Sequence, residues 1–368
     1  MRKFFFPLTL LLLACNTLPV GFDQLTTLPE SGMLELVPDS LDYYGRHIPL
    51  GYADWLLLGR DEQYESRVLL KFPLKDSALD SVTGVRLILH PIDSTPVTFV
   101  CRACSTEWTT AAVTWLLADS ATRWLTPGGD LWEFTLGTAT LTRESTVVEL
   151  DRSRLTLLVQ KSSGIMLLPT DTGFAAITNM TDAKAGPKLV FHYADGKERI
   201  YYATGDAHIV DTLNICSQLT DLLIGASFAF RTYLKFRLDT LPPEVTILRA
   251  QLLFTPRTIY RRSDTLKLGV HRLTESYQLR NRHAGYEENA AATTAYILVA
   301  QDTMVSLDIT TLVQNWVSHP DSFPNHGLLI TAEPEWQRPF RLKLSRSGNT
   351  APQLKIQYIL PPPDRFSR

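Results

Sequence analysis

Cys101-Arg-Ala-Cys104 has the spacing of half a zinc site, since two thiolates three residues apart can share one tetrahedral metal. No second cysteine pair, and no histidine pair at metal spacing, accompanies it. The pair also lies in V-T-F-V-C-R-A-C (97–104), which alternates as a strand does, and residues three apart on a strand point to opposite faces. Buried or half-buried thiols are therefore expected, with a bridge to Cys216 as the second alternative and metal as the third. Other catalytic patterns are missing: there is no G-x-S-x-G, no H-E-x-x-H and no glycine-rich loop opening a helix. Eight histidines are dispersed, and His90, His192 and His271 fall where solvent-facing or edge positions on strands account for them. Asp61, Glu62 and Glu65 form a carboxylate cluster at which loop oxygens would hold a structural Ca²⁺. A solvated loop accounts for the same residues without metal. No residue is assigned a catalytic role, no cofactor is required, and a non-enzyme is expected.

Aromatic rings are the other source of chemistry. Trp124 and Trp132 flank Thr126-Pro-Gly-Gly-Asp130, and Trp336 lies in Glu333-Pro-Glu-Trp-Gln-Arg-Pro339, both loop-like stretches. An indole face on a loop stacks on a pyranose ring while polar neighbours take the hydroxyls, so these three are the candidate glycan-contacting residues. Trp108, Trp115 and Trp316 are expected to be structural.

The elements that must position these residues are mostly short strands. Val68, Leu70 and Phe72 alternate with Leu69 and Lys71, and the pattern returns at Leu189–Tyr193, Leu266–Val270 and Leu354–Tyr358. Such period-2 stretches indicate antiparallel sheets with one buried face. One helix stands out: Asp308 is placed to cap it, and Ile309, Leu312, Val313 and Trp316 form its apolar stripe. A turn at Asn325-His326-Gly327 and a strand over 328–331 follow. A weaker copy occurs upstream, with Asp151, then Leu155, Leu158 and Val159, then Gly164 and a strand over 165–168.

That echo belongs to a larger repeat. Arg67-Val-Leu-Leu-Lys-Phe-Pro-Leu74 returns as Arg231-Thr-Tyr-Leu-Lys-Phe-Arg-Leu238, and Pro187-Lys-Leu-Val-Phe-His-Tyr193 as Pro352-Gln-Leu-Lys-Ile-Gln-Tyr358. The offset stays near 165 residues from the first strand to the last, the mark of tandem duplication of a whole unit. The polar stretch Ala194-Asp-Gly-Lys-Glu-Arg199 is the expected boundary. The fold expected is all-β: two tandem antiparallel jelly-roll-like β-sandwich domains over 31–195 and 196–361, each with one short helix.

Of the 368 residues, 45% are hydrophobic and 20% charged, with a net charge of −2, so a sizeable core is affordable and no basic face for nucleic acid is evident. The first fifteen residues read as an export signal. Met1-Arg2-Lys3 is basic, 4–13 is an apolar run too short to span a bilayer, and Leu12-Leu13-Ala14-Cys15 resembles the bacterial lipobox. In such signals the chain is cut before the cysteine, which is then lipidated. Residues 1–15 are therefore expected as a lipoprotein signal peptide, 16–30 as a tether, and 362–368 as a disordered tail. The expected localisation is export to the bacterial cell envelope, lipid-anchored through Cys15 at the outer membrane or cell surface.

Glu107-Trp-Thr-Thr-Ala-Ala-Val-Thr-Trp115 resembles the W-(S/T)-E-x-x-V-T-W element of the DNRLRE-domain family, β-sandwich modules of bacterial surface and secreted proteins. Further landmarks occur in the family's order: L-L-x-G before R-x-x-L-K-F, the 245–252 stretch with Ala250, D-x-T-x-L-V-Q-x-W from Asp308 to Trp316, N-x-G-L-L-I from Asn325 to Ile330, and P-x-L-x-x-x-Y closing each copy. The resemblance covers nearly all of both halves and implies sandwich modules like those that bind carbohydrate. Two departures stand out. The first copy has Ser162 where the helix tryptophan would fall, and the second has Leu273-Thr-Glu-Ser-Tyr277 in place of V-T-W. The resulting expectation is a lipid-anchored, non-catalytic surface module that recognises a polysaccharide. The alternatives are a structural or adhesive protein acting through surface-protein contacts, and the anchoring subunit of a polysaccharide-degrading enzyme.

Overall fold

In the computed structural model, residues 30–74, 79–93, 95–213, 221–279, 282, 284–288, 291–298 and 304–361 are described. Cys15, the expected signal peptide, nearly all of the expected tether, Cys216 and residues 362–368 lie outside them. The first copy contributes β1 (Ser31–Leu36), β2 (Ser40–His47), β3 (Trp55–Arg60), β4 (Tyr64–Lys71), β5 (Val82–Leu89), β6 (Val97–Cys104), β7 (Leu131–Leu141), β8 (Thr146–Leu150), β9 (Ile165–Pro169), β10 (Gly173–Thr178) and β11 (Lys188–Tyr193). The second contributes β12 (Glu198–Tyr202), β13 (Gly205–Thr212), β14 (Leu222–Ala226), β15 (Phe228–Lys235), β16 (Thr246–Phe254), β17 (Arg257–Arg261), β18 (Thr265–Arg272), β19 (Thr293–Leu298), β20 (Val305–Asp308), β21 (Leu328–Ala332), β22 (Phe340–Leu344) and β23 (Gln353–Ile359). Helices α1 (Leu155–Lys161) and α2 (Thr310–Ser318) complete the pattern. The fold is all-β, of β-sandwich type, and every strand pairing described is antiparallel.

The sandwiches do not coincide with the linear halves. The first is built from the large sheet β10-β3-β4-β9-β6-β7, with β13 added on β4, and the small sheet β12-β11-β5-β8. The second pairs the large sheet β17-β22-β14-β15-β21-β18-β19, with β2 on β15, and the small sheet β1-β23-β16-β20. So β12 and β13, which lie past the expected boundary, complete the first sandwich. Conversely β1 and β2, from the start of the chain, complete the second. The expected division at 195/196 marks the repeat, whereas the sheets draw strands across it. Alternation along one strand shows which face is buried but not which neighbour it joins, so this exchange leaves no periodicity signal.

Each sandwich buries its own apolar core. In the first, Val68, Leu70, Leu87, Phe99, Leu167 and Phe191 meet between the sheets, and in the second Leu234, Leu252, Leu268, Ile330, Leu342 and Leu354 do. The outer faces of the two large sheets also meet, through Leu57, Tyr64 and Phe174 on one side and Leu223, Phe228 and Phe230 on the other. Central large-sheet strands are consequently buried on both faces, as in β15, where every residue but the last is buried, Arg231 and Thr232 included.

The helix corners follow the expected stripe. Ile309, Leu312, Val313 and Trp316 enter the second core, and Leu155 and Leu158 the first. Asp308 Oδ1 accepts from the Thr310 N–H at 2.9 Å, and Asp151 Oδ1 accepts from the Ser153 N–H at 2.9 Å. The helical turns begin one residue later than expected, with Ile309 as the capping residue of α2. After each helix a glycine with positive φ, Gly164 or Gly327, packs against the carbonyl of Leu70 or Leu234, at 2.4 and 2.6 Å from where a Cβ would stand. Only a residue without Cβ lets the chain return to the sheet there. Trp316→Ala is expected to destabilise the second sandwich by about 3–5 kcal/mol, because it empties a ring-sized volume from the core. Chemical denaturation followed by tryptophan fluorescence measures this, and unchanged stability would refute the corner's structural role.

Candidate functional site

A cleft of about 570 Å³ opens between the two sandwiches, lined by Arg46, His47, Thr114, Arg231, His271, Tyr286, Thr331 and the segment Glu333 to Trp336. Its floor comes from three adjacent strands of the second large sheet: β15 supplies Arg231, β18 His271 and β21 Thr331. The opposite wall comes from residues 111–120, part of the segment between β6 and β7 that folds over the first large sheet.

The Arg231 guanidinium sits mid-strand on a face that two packed sandwiches remove from water. Its Nε and one Nη donate to both oxygens of Glu335 at 2.7 Å, with side chains 6% and 16% exposed. Tyr286 and Tyr44 lie against the cation, at 5.0 and 5.8 Å from their ring centroids. Burial lowers the Arg231 pKa, yet the hydrogen bonds and charge of Glu335 outweigh it and hold the side chain ionised. Beside it His271 is 3% exposed, with Nδ1 2.8 Å from the Glu287 carbonyl and Nε2 3.0 Å from Glu333 Oε2. Burial disfavours its charged form, but those two hydrogen bonds and the neighbouring carboxylates raise its pKa above the ordinary value. The expectation of a solvent-facing or edge position for His271 is corrected on this point. The Thr331 hydroxyl, buried in the same cleft, has no hydrogen-bond partner.

The segment carrying Trp336 is pinned rather than loose. Glu333 N–H donates to the Lys267 carbonyl, Ser227 N–H to the Glu335 carbonyl, and Gln337 Nε2 to the Lys267 and Pro334 carbonyls. Trp336 itself remains 44% exposed at the rim. An anchored segment presenting a half-exposed indole is pre-organised for a flat apolar ligand face.

The other two candidate tryptophans lie elsewhere. Trp124 is 5% exposed and its indole N–H donates to the Thr114 carbonyl at 2.9 Å, so it is a core residue and no ligand platform. It does shape the cleft indirectly, because Thr114 is part of the wall. Trp132, on β7, packs against the first core with its indole nitrogen buried and unpartnered. Trp108, Trp115 and Trp316 are buried.

The acidic cluster is drawn into internal contacts. Asp61 Oδ1 accepts from the Gln63 and Tyr64 N–H groups, its Oδ2 accepts from the Tyr260 hydroxyl at 2.7 Å, and Glu65 pairs with Arg67. Among the described residues no three metal-type side chains converge. Cys101 and Cys104 are free and buried, facing different clusters on the two sides of β6, and burial pushes the Cys104 thiol up to about 12. Arg231, His271, Glu333 and Glu335 were not singled out by sequence. The repeat did carry a signal for one of them, since an arginine kept mid-strand in both copies (Arg67 and Arg231) requires a buried partner.

The surrounding interface holds a second buried imidazole. His208 is fully buried, has no hydrogen-bond partner on either nitrogen, and stacks on Trp55 with centroids 5.1 Å apart. Burial pushes its pKa down to about 3. A histidine held neutral below its unfolded pKa of about 6.5 costs more stability as pH falls through that value. Burial of Asp206 raises its carboxyl to about 6 and acts in the opposite sense over part of the same range. The readout is therefore the difference between variant and parent: His208→Phe is expected to gain stability over the parent progressively from about pH 6.5 to pH 4, by denaturation midpoints. A constant difference across that range would contradict the buried neutral state. Glu335→Ala, which strands the Arg231 charge, is expected to cost about 3–5 kcal/mol at neutral pH by the same measurement.

No protein-family model matches this chain, and no curated protein matches it. Among solved structures, a chain from the cryo-EM structure of the Sputnik virophage aligns at 8% identity, covering 89% of this chain and 85% of that one, with a TM-score of 0.11. A likeness of that size carries no structural or functional inference.

Proposed function

We propose that this protein is a non-catalytic binding module that recognises a glycan in the cleft between its sandwiches. One observation carries the reading. The cleft combines a rigidly held, half-exposed indole with exposed polar side chains in its lining, Arg46, Ser120 and Glu288 among them. Its size falls within the range of about 300–1,000 Å³ usual for small-ligand sites. Sugar rings present an apolar face and equatorial hydroxyls, and this lining answers to both. The motif resemblance to DNRLRE-type surface modules supports the same ligand class. The lipobox-like Leu12-Leu13-Ala14-Cys15 supports attachment to the envelope through a lipid on Cys15, which leaves the sandwiches outside the bilayer. No helix among the described residues is long and apolar enough to cross a membrane.

A structural or adhesive role through protein contacts is the second reading, and the exchange of strands between the two halves favours it.

Titration of the mature protein with a soluble polysaccharide panel (alginate, pectin, cellulose oligomers, peptidoglycan fragments) distinguishes them. At least one member is expected to bind, and Trp336→Ala is expected to weaken it about tenfold or more, the equivalent of about 1.4 kcal/mol. Trp132→Phe, a change at the first core away from the cleft lining, is expected to leave affinity unaltered. Absence of binding across the panel, or equal affinity in Trp336→Ala, would dismiss the cleft as a glycan site.

A further inference from the structure

The β1–β2 and β12–β13 segments hold equivalent places in the two sandwiches. β2 runs antiparallel along β15 from Ser40↔Lys235 to His47↔Phe228, and β13 along β4 from Gly205↔Lys71 to Thr212↔Tyr64. β1 edges one small sheet on β23, and β12 edges the other on β11. They arrive there by different routes. Residues 48–213 contain every strand of the first sandwich in one continuous stretch, whereas the second sandwich is complete only when residues 31–47 return to it from the far end of the chain. Between β2 and the first sandwich there is only the short connection 48–54.

We propose that the β1–β2 strand pair is exchangeable, and that a second copy of this chain is its alternative acceptor. The strand pair of one molecule then completes the second sandwich of another, reciprocally in a dimer or in series along an assembly. The molecule already contains the required relation, because β12 and β13 complete a sandwich other than the one that follows them. Main-chain hydrogen bonds supply the attachment and alternating side chains fix the register, as in other strand additions. Here Leu34, Leu36, Leu41 and Tyr43 pack on the second core, and Lys355 pairs with Glu35 at 2.7 Å. All of these contacts survive transfer to an identical acceptor. The closed and exchanged forms then differ in the path of residues 48–54, whose buried Leu50 and Ala53 must repack, and in the entropy of association. A short connection gives an effective concentration on the order of millimolar, so dilute protein closes on itself and chains folding side by side exchange.

A disulfide reporter reads this directly. Met33 and Gln357 are register partners whose side chains touch, with Nε2 and Sδ 3.6 Å apart. In the mature chain carrying Cys15→Ser and Cys216→Ser, one population bears Met33→Cys and the other Gln357→Cys. The two are unfolded, mixed equally, refolded together at about millimolar total concentration and oxidised. A covalent heterodimer is expected on a non-reducing gel, because neither chain can form this bridge alone. The single chain bearing both substitutions is expected to close internally and, once cross-linked, to refold only as a monomer by light scattering, while the unlinked parent yields dimers or larger species. Purely monomeric parent protein after concentrated refolding, or equal oligomerisation of the cross-linked chain, would overturn the proposal.

Discussion

The constraint on which the structure depends is that each sandwich is completed by a strand pair from the other side of the repeat boundary, β12–β13 for the first and β1–β2 for the second. A central strand such as β4 or β15 needs a partner along its whole length, since an unpaired buried edge leaves main-chain groups without hydrogen bonds. β13 serves β4 and β2 serves β15, each over eight residue pairs. The two halves are thereby stitched together, and separating them would expose two sheet edges at once. The apolar contact between the large sheets then follows from connectivity, because strands shared in this manner hold the two large sheets face to face.

Holding the sheets face to face imposes a second cost, borne by the charged residues on those faces. Arg341 is buried, donates from Nε to the Tyr64 hydroxyl at 3.2 Å, and lies over the rings of Tyr64 and Phe230 at 4.8 and 4.9 Å. Arg262 lies over Phe174 at 4.6 Å, and Arg338 over Trp55 at 5.7 Å. Arginine suits such places better than lysine, because its flat, weakly hydrated cation stacks on aromatic rings with less desolvation cost. Several aromatic rings of the large sheets thus serve as stacking faces for buried or half-buried cations.

The strands, the two helix corners and the duplication were legible because each has a local signature. Alternation marked β4, β11, β18 and β23, the Ile309–Trp316 stripe marked α2, and Gly164 and Gly327 marked the returns to the sheet. The pairing across the repeat boundary was not legible, since alternation along one strand does not name its partner. Of the cleft, Trp336 was visible as an aromatic residue between prolines. His271 was misjudged because its strand alternates normally. What changes its character is Glu333, sixty-two residues away, and the packing of a second sandwich above it.

The two copies place one duplicated arginine in different surroundings. In the first copy Arg67 takes its carboxylate from Glu65 on the same strand, donates to the Gly128 carbonyl at 2.8 Å, and lies 4.5 Å from the centroid of the Trp115 ring. The V-T-W segment that brings Trp115 there folds down beside it, with Gly128 against the ring, and the Arg67 side chain stays 19% exposed. In the second copy that segment is replaced by Leu273-Thr-Glu-Ser-Tyr277, and no tryptophan covers Arg231. Its ring faces come instead from Tyr44, on the exchanged strand β2, and Tyr286, and its carboxylate comes from Glu335 in the segment after β21. These groups are drawn from separate parts of the chain; they bury Arg231 more fully than Arg67, and the cleft lies beside the ion pair. The strand drawn from the start of the chain is part of the cleft, since without β2 its lining would lack Arg46 and His47, and Arg231 would lose the ring of Tyr44.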